Sequence, residues 1–367
     1  MTTAGNLQTV PSIQGTARPH LEVIAPERFT FTGTGGEYFR IWIVNLLLTI
    51  VTLGIYSAWA KVRRTRYFYD NTRLAGASFD YHGRPLSILR GRIVAVLFFG
   101  AYNVAFMISD TAGFVMLALL VALVPWLIWK SLQFKLYNSS YRGIRFGFGG
   151  TAGRVYFVYL ILPILTLLSA YLLMPFTHQR IKKFQHEQSR YGSTSFSFHG
   201  SVGQFYKAYL IAFAVAVGGG LVIGLAFGGT VSAMVRAGGL REAGPAAIGA
   251  IAVFLLVMYA WLFSLVPLFL TLIQNLIWNN TRLAENRFES RMRIGRMTYI
   301  AITNLVGIVL TLGLFIPFAQ IRAMKYRIES MSLFPADSLD DFVTDAQEQA
   351  SATGEGAADL LDFDLSL

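Results

Sequence analysis

The sequence predicts an all-α polytopic membrane protein, built from tandem parallel repeats of broken or re-entrant helix hairpins and spanning pairs, with short cytosolic β-hairpins. Three observations predict it. Of the 367 residues 54% are hydrophobic and only 14% charged, with a mean hydropathy of +0.51; soluble domains carry about 25% charged residues. The apolar residues gather in four windows, Ile93–Ser109, Phe114–Trp129, Ala208–Gly228 and Ala246–Ile273, close to the ~17–25 residues that match a bilayer's hydrocarbon core. Finally, the chain resembles itself at a fixed offset. This composition excludes a soluble enzyme, a disulfide-stapled secreted domain and a disordered chain. With no cysteine, thiol chemistry and Cys-based metal sites are excluded too.

Residues 1–28 form a polar cytosolic segment without the apolar core of a cleavable signal peptide. Residues 29–145 form the first membrane repeat. They open on Phe29-x-Phe31-x-Gly33, an alternating strand running into a glycine turn. An apolar segment follows, interrupted at Thr52-Leu-Gly-Ile-Tyr56, then a basic exit from Lys61 to Tyr69, then the first spanning pair. Phe39 to Leu53 is 15 residues, about 22 Å of helix against a core of roughly 30 Å. With basic residues on both sides, this predicts a hairpin that enters and returns, near 38–70, and likewise near 154–186 and 297–327.

The second repeat, 146–287, lies 117 residues on: Phe146-x-Phe148 meets Phe29-x-Phe31, Phe196-x-Phe198-His199-Gly200 meets Phe79-x-Tyr81-His82-Gly83, and Pro163 and Pro175 supply the interruption. A partial third repeat, 288–333, lies at an offset of 259, where Thr311-Leu-Gly313 meets Thr52-Leu-Gly54 and the interruption falls at Gly313 and Pro317. Asn280-Thr-Arg-Leu-Ala284 repeats Asn71-Thr-Arg-Leu-Ala75. Residues 334–367 hold nine of the chain's 20 acids and no base, so the net +11 divides into a tail of about −9 and a body of about +20. Such a composition reads as a disordered, solvated tail that could meet a partner or the basic face of its own chain.

Basic residues cluster at 61–66, 84–92, 130–145, 180–183 and 282–296, whereas Asp110–Gly113 has none and Gly229–Pro245 has two. The positive-inside rule then places both loops outside and both termini in the cytoplasm.

The motifs Glu37-Tyr38-Phe39, Asn45-Leu46-Leu47, Thr52-Leu-Gly-Ile-Tyr-Ser-Ala-Trp-Ala60 and Phe79-Asp-Tyr-His-Gly83 resemble the YjgN family of bacterial inner-membrane proteins over about residues 29–330. The resemblance implies a multi-pass protein of the bacterial inner membrane and a domain of unknown function. It brings no catalytic residues.

The residues themselves hold no HExxH, no P-loop and no GxSxG constellation, so no enzyme, cofactor, metal or nucleic-acid partner is expected. His82 and His199 are repeat-equivalent and read as structural before they read as a paired site. Gly220, Gly224 and Gly228 read as helix packing. Two sets carry the candidate function. Arg63/Arg66, Arg180/Lys183 and Arg322/Lys325 recur at i, i+3, each pair on one helical face, a pattern suited to anionic lipid headgroups or another anionic ligand. Asn45, Asn103, Gln274, Asn275 and Asn304 lie in apolar windows, where polar groups are costly, and could line a polar seam. The expected function is transport or permeation of a small solute or lipid through that seam. The alternative is an anionic-lipid-binding scaffold or assembly partner, alone or as a homo-oligomer.

Overall fold

A computed structural model describes residues 25–236, 245–336 and 338–352. The chain makes five passes in the same order, a strand, a pair of helices and a returning strand. The first holds β1 (Glu27–Arg28), β2 (Thr30–Phe31), α1 (Gly35–Val51), α2 (Ser57–Asp70) and β3 (Thr72–Leu74). The second holds β4 (Ala77–Tyr81), α3 (Pro85–Ile108), α4 (Asp110–Tyr137) and β5 (Ser139–Tyr141). The third runs through β6 (Ile144–Phe148), α5 (Ala152–Tyr156), a π-helical turn (Phe157–Ile161), α6 (Leu162–Leu168), α7 (Met174–Glu187) and β7 (Ser189–Tyr191). β8 (Thr194–Phe198), α8 (Val202–Arg236), α9 (Pro245–Asn279) and β9 (Thr281–Leu283) make the fourth. The fifth is β10 (Asn286–Ser290), α10 (Ile294–Leu310), α11 (Ile316–Glu329) and β11 (Met331–Phe334), and α12 (Leu339–Ala352) follows.

The strands are not separate hairpins, and the fold is not all-α. They join into one antiparallel sheet of eleven strands whose order runs β1-β11-β10-β9-β8-β7-β6-β5-β4-β3-β2. Its two ends are adjacent in the chain: Glu27 pairs with Leu333, Thr30 pairs with Arg73, and Phe29 between them bonds to the carbonyl of Met331 at 3.2 Å. One short stretch therefore closes the sheet into a barrel, which removes the exposed edges an open sheet would present. The boundaries predicted at 145/146 and 287/288 fall inside β6 and β10. Residues 29–145, 146–287 and 288–333 all contribute strands to the same barrel.

Because every odd connection is a helix pair and every even one a tight turn, all five helix pairs leave from one rim and the turns sit on the other, where α12 also lies. The turns carry left-handed backbone at Ala75-Gly76 and Arg142-Gly143 (φ +45° to +80°), the geometry of two-residue hairpins. The glycines of the aromatic-x-aromatic-x-Gly motif do something else. They stand at the helix rim, where the ring two residues earlier folds over them: a Cβ on Gly83 would lie 2.4 Å from the Tyr81 ring system, and one on Gly200 2.5 Å from Phe198. In the fifth pass the aromatic becomes Ser290 and the glycine becomes Met292, both buried, so the side-chain volume has changed places.

Among the described residues four helices are long and apolar enough to cross a membrane, Pro85–Ile108, Asp110–Tyr137, Val202–Thr230 and Ile248–Asn279, and they overlap the four apolar windows almost completely. The other three helix pairs are short hairpins, and re-entry to membrane depth is not what they show. Two of their tips meet the beginnings of the long helices: Arg92, seven residues into α3, donates to Ser57, and Tyr206 in the first turns of α8 donates to the carbonyl of Leu172 at 3.0 Å. The outgoing helices α1 and α10 run 17 residues, about 25 Å of helix against the roughly 30 Å hydrocarbon core. Their returning helices α2, α7 and α11 are not lipid-facing all round: Val62, Phe184 and Ile321 are buried within the protein.

All three tips use one device. Tyr56, Leu173 and Phe315 donate their backbone N–H to the hydroxyls of Thr52, Ser169 and Thr311 at 2.9, 3.1 and 2.9 Å. Left-handed residues Leu53-Gly54, Ala170-Tyr171 and Leu312-Gly313 make the turn. The interruption in the second hairpin is thus at Ala170-Tyr171, not at Pro163. Pro163 stands just inside α6, directly after the π turn; a π turn is one way a helix absorbs the missing N–H of proline. Pro175 opens α7, where proline is tolerated.

The expected disordered tail also differs in its described part. α12 lays Leu339, Val343 and Ala346 into the main core, with Phe342 against Tyr191 at a ring distance of 6.2 Å. The acidic residues beyond Ala352 lie outside the described residues. Gly219, rather than Gly220, Gly224 or Gly228, is the close-packed glycine of α8, pressed on Trp261 of α9.

Candidate functional site

The barrel interior is aromatic because its strands alternate, sending every second side chain inward. One inward residue from each pass forms a closed ring: Phe29–Phe79 at 6.4 Å, Phe79–Phe146 at 6.5 Å, Phe146–Phe196 at 6.5 Å, Phe196–Phe288 at 6.2 Å and Phe288–Phe29 at 6.5 Å between centroids. Around this ring lies an apolar cavity of about 330 Å³. Phe68, Trp278, Met324 and Ile328 border it from the helices, and Leu339, Phe342 and Val343 border it from α12.

The polar groups at its wall are already engaged. Tyr141 donates to the Leu74 carbonyl at 2.8 Å, Tyr191 to the Tyr141 carbonyl at 3.0 Å, Thr72 to the Phe68 carbonyl at 2.7 Å and Asn286 to the Leu283 carbonyl at 3.1 Å. Burial raises the Tyr141 and Tyr191 hydroxyls above the usual phenol range, so both stay neutral donors.

The six cationic residues lie on α2, α7 and α11 but do not converge. Arg66 donates to the Tyr81 carbonyl at 3.1 Å, which ties α2 to β4. Arg322 donates to Asn304 at 2.7 Å and Thr303 at 3.0 Å, which ties α11 to α10. Arg63 lies exposed, 3.4 Å from the Tyr56 hydroxyl. Arg180 is exposed over the Phe176 ring, and Lys183 and Lys325 pair with Glu187 and Glu329 at 3.7 and 3.8 Å.

The polar residues do not form one seam. Asn103 is exposed on α3 and bonds back to its own helix at Phe99. Gln274 accepts from Arg327 at 2.7 Å, and Asn275 accepts from Ser290 and from the N–H of Met292 at 2.8 and 3.0 Å. Asn304 donates to the Ala319 carbonyl at 3.0 Å. Asn45 is buried, and its Oδ1 has no partner. His82 bonds Ser140 at 2.7 Å, and both His82 and His199 are exposed. Among the described residues no group of three His, Asp or Glu could hold a metal ion.

The Phe ring was the site that sequence reasoning passed over. Its signal was present: Phe29, Phe79, Phe146 and Phe196 head the repeated strand motifs, and Phe288 stands 259 residues after Phe29. Nothing local says that five short strands close on one another.

A family model described as a bacterial protein of unknown function, DUF898, matches residues 26–360. The inner membrane protein YjgN of Salmonella typhimurium is 35% identical over 148 residues, 39% of this chain and 37% of that protein. That of Escherichia coli K12 is 37% identical over 143 residues, 37% of this chain and 35% of its own. The matched stretch thus spans a little over a third of those relatives. No solved structure matches.

Proposed function

This chain belongs to the DUF898 family of bacterial proteins of unknown function, and from that premise we propose that it is a non-enzymatic, anionic-lipid-binding scaffold of the inner membrane. One observation carries the reading. Between the barrel and the apolar hairpin tips, where Leu53 and Leu312 are 94% and 95% exposed, stands a collar of exposed bases that includes Lys61, Arg63, Arg64, Arg180 and Arg296. Apolar tips beside cationic side chains are the arrangement of an interfacial lipid-binding surface, and each base near anionic headgroups contributes about 1 kcal/mol. By the positive-inside rule such a collar supports a cytoplasmic barrel.

The test is lipid retention in nanodiscs containing both phosphatidylglycerol and phosphatidylcholine. Replacing Arg63, Arg64 and Arg180 with Gln is expected to lower the preference for phosphatidylglycerol at least tenfold; an unchanged preference overturns the reading. Orientation is read separately in this cysteine-free chain: an impermeant thiol reagent on intact cells is expected to label Thr111→Cys and to miss Glu285→Cys.

A second reading, permeation of a small solute or lipid between the helices, keeps one observation, the unpartnered Oδ1 of buried Asn45. Labelling of Ser57→Cys from both faces of the membrane would favour it, and labelling from the barrel side alone favours the scaffold.

A further inference from the structure

We propose that the barrel cavity is a binding site for a single hydrocarbon chain, with α12 as its lid. This is independent of the headgroup collar, which lies outside the barrel. Three features point to it. The first is size: at about 330 Å³ the chamber is roughly twice the ~150 Å³ apolar cavity that suffices to bind benzene, and at ~30 Å³ per water-sized group it holds on the order of ten. An apolar void of this volume is costly to leave empty, and water has no reason to fill it.

The second is chemistry. The ring of five phenylalanines faces the chamber, while the Tyr141, Tyr191, Thr72 and Asn286 groups beside it already donate to backbone carbonyls. Asn286 also accepts from the N–H of Ala336 at 3.1 Å. A ligand with a polar group inside would find these partners taken; a hydrocarbon needs none. The third is access. The turn rim of the barrel is closed by α12, whose Leu339, Phe342 and Val343 border the chamber. That helix is held by this apolar face and by an ion pair between Asp340 and Arg142 of the β5–β6 turn, where the Asp340 side chain is 81% exposed. β11 ends at Phe334 and α12 begins at Leu339, so the lid is tethered close to the barrel.

A free fatty acid and the tail of a membrane lipid share this chemistry. The full-length protein in nanodiscs would be photolysed with either a diazirine-bearing fatty acid or a phospholipid carrying the diazirine in one acyl chain, and the adducts mapped by mass spectrometry. Adducts on the barrel wall, at Phe79, Phe146, Phe196 or Leu283, are expected in addition to those on exposed span residues such as Leu225. Wall adducts from the fatty acid alone identify a free chain; wall adducts from both probes identify a membrane lipid tail. Val343→Trp, which fills the chamber from the lid, is expected to cut the wall adducts at least fivefold and leave the Leu225 adduct unchanged. Leu283→Phe, which fills it from the barrel wall, provides the same test should the first variant not fold. Adducts confined to the spans, or wall adducts that survive both filling variants, overturn the proposal.

Discussion

The long and short helix pairs leave the same rim of the same barrel and differ in where the second helix finds its burial. In the second pass the returning helix α4 buries only Gly113 and Pro125 of its residues, and its apolar side chains, Phe114, Val115 and Leu119 among them, are 57–63% exposed. That surface is left for lipid, which a bilayer-spanning length can reach. In the third pass α7 buries Pro175, Thr177, Gln179 and Phe184 against the barrel and its neighbours. Its polar rows stay near the rim, and the apolar character is confined to the tip. Depth in the membrane therefore follows from the amphipathicity of the returning helix.

Deleting a buried ring on a returning helix is the strongest way to break this comparison. Phe184 meets Phe148 at 5.7 Å and Tyr159 at 6.1 Å, and Phe184→Ala is expected to cost about 3–5 kcal/mol in detergent unfolding. Leu225→Ala, at a residue 83% exposed on α8, is expected to stay within about 0.5 kcal/mol. Equal losses would show that burial against the barrel does not distinguish the two kinds of pass.

A pH experiment sharpens the same point. His186 on α7 sits against Phe198 and Trp278 and meets Thr281 at 3.2 Å. Burial first, then the nearby Lys182 charge, lowers its pKa from 6.5 to about 4. The unfolded chain takes up this proton as the pH falls through 6.5, and the folded chain only near 4. Stability is therefore complete above 6.5 and is lost between 6.5 and 4, by about 3 kcal/mol at the lower end. His178, shifted the same way to about 4 by burial and Lys182, adds to the slope. Melting temperatures should fall from pH 7.5 to pH 5, and His186→Gln should remove part of that fall; an unaltered slope would place the titration elsewhere.

The exchange of side chains at the rim gives a smaller effect. Gly200→Met alone is expected to cost about 1–3 kcal/mol by driving a side chain into Phe198. Combined with Phe198→Ser, which copies the fifth pass, it should cost less than the sum of the two single changes by about 0.5–3 kcal/mol. Strict additivity would mean that Ser290 and Met292 are unrelated. The smallest expected effect is at a tip: Thr311→Val removes the hydroxyl that accepts from Phe315 and should cost about 1 kcal/mol, measured by the same unfolding.

Much of the architecture was legible in the chain. Composition placed four apolar windows, and four helices among the described residues cover nearly all of them. The tip turns were visible at Thr52-Leu-Gly54 and Thr311-Leu-Gly313, because threonine and glycine act there on their own backbone neighbours. The third tip escaped, since Ser169-Ala-Tyr171 makes the same turn without glycine. The polar residues Gln274, Asn275 and Asn304 were legible as buried or part-buried groups, but their partners Arg327, Ser290 and Arg322 lie on other elements.

Local chemistry, then, determined the strand motifs at Phe29, Phe79, Phe146 and Phe196, the apolar windows, two tip turns and the basic clusters from the sequence by itself, because each depends on residues within a few positions of one another. Tertiary structure alone decided that the strands form one barrel. Closure depends on pairing Glu27 with Leu333 and Arg28 with Ser332, about 300 residues apart. Two-residue strands carry too little periodicity to announce a partner, and their register is specified only when a shared interior has to be filled. The phenylalanine ring and its cavity exist for the same reason: each pass supplies one aromatic, and only the closed sheet brings all five together.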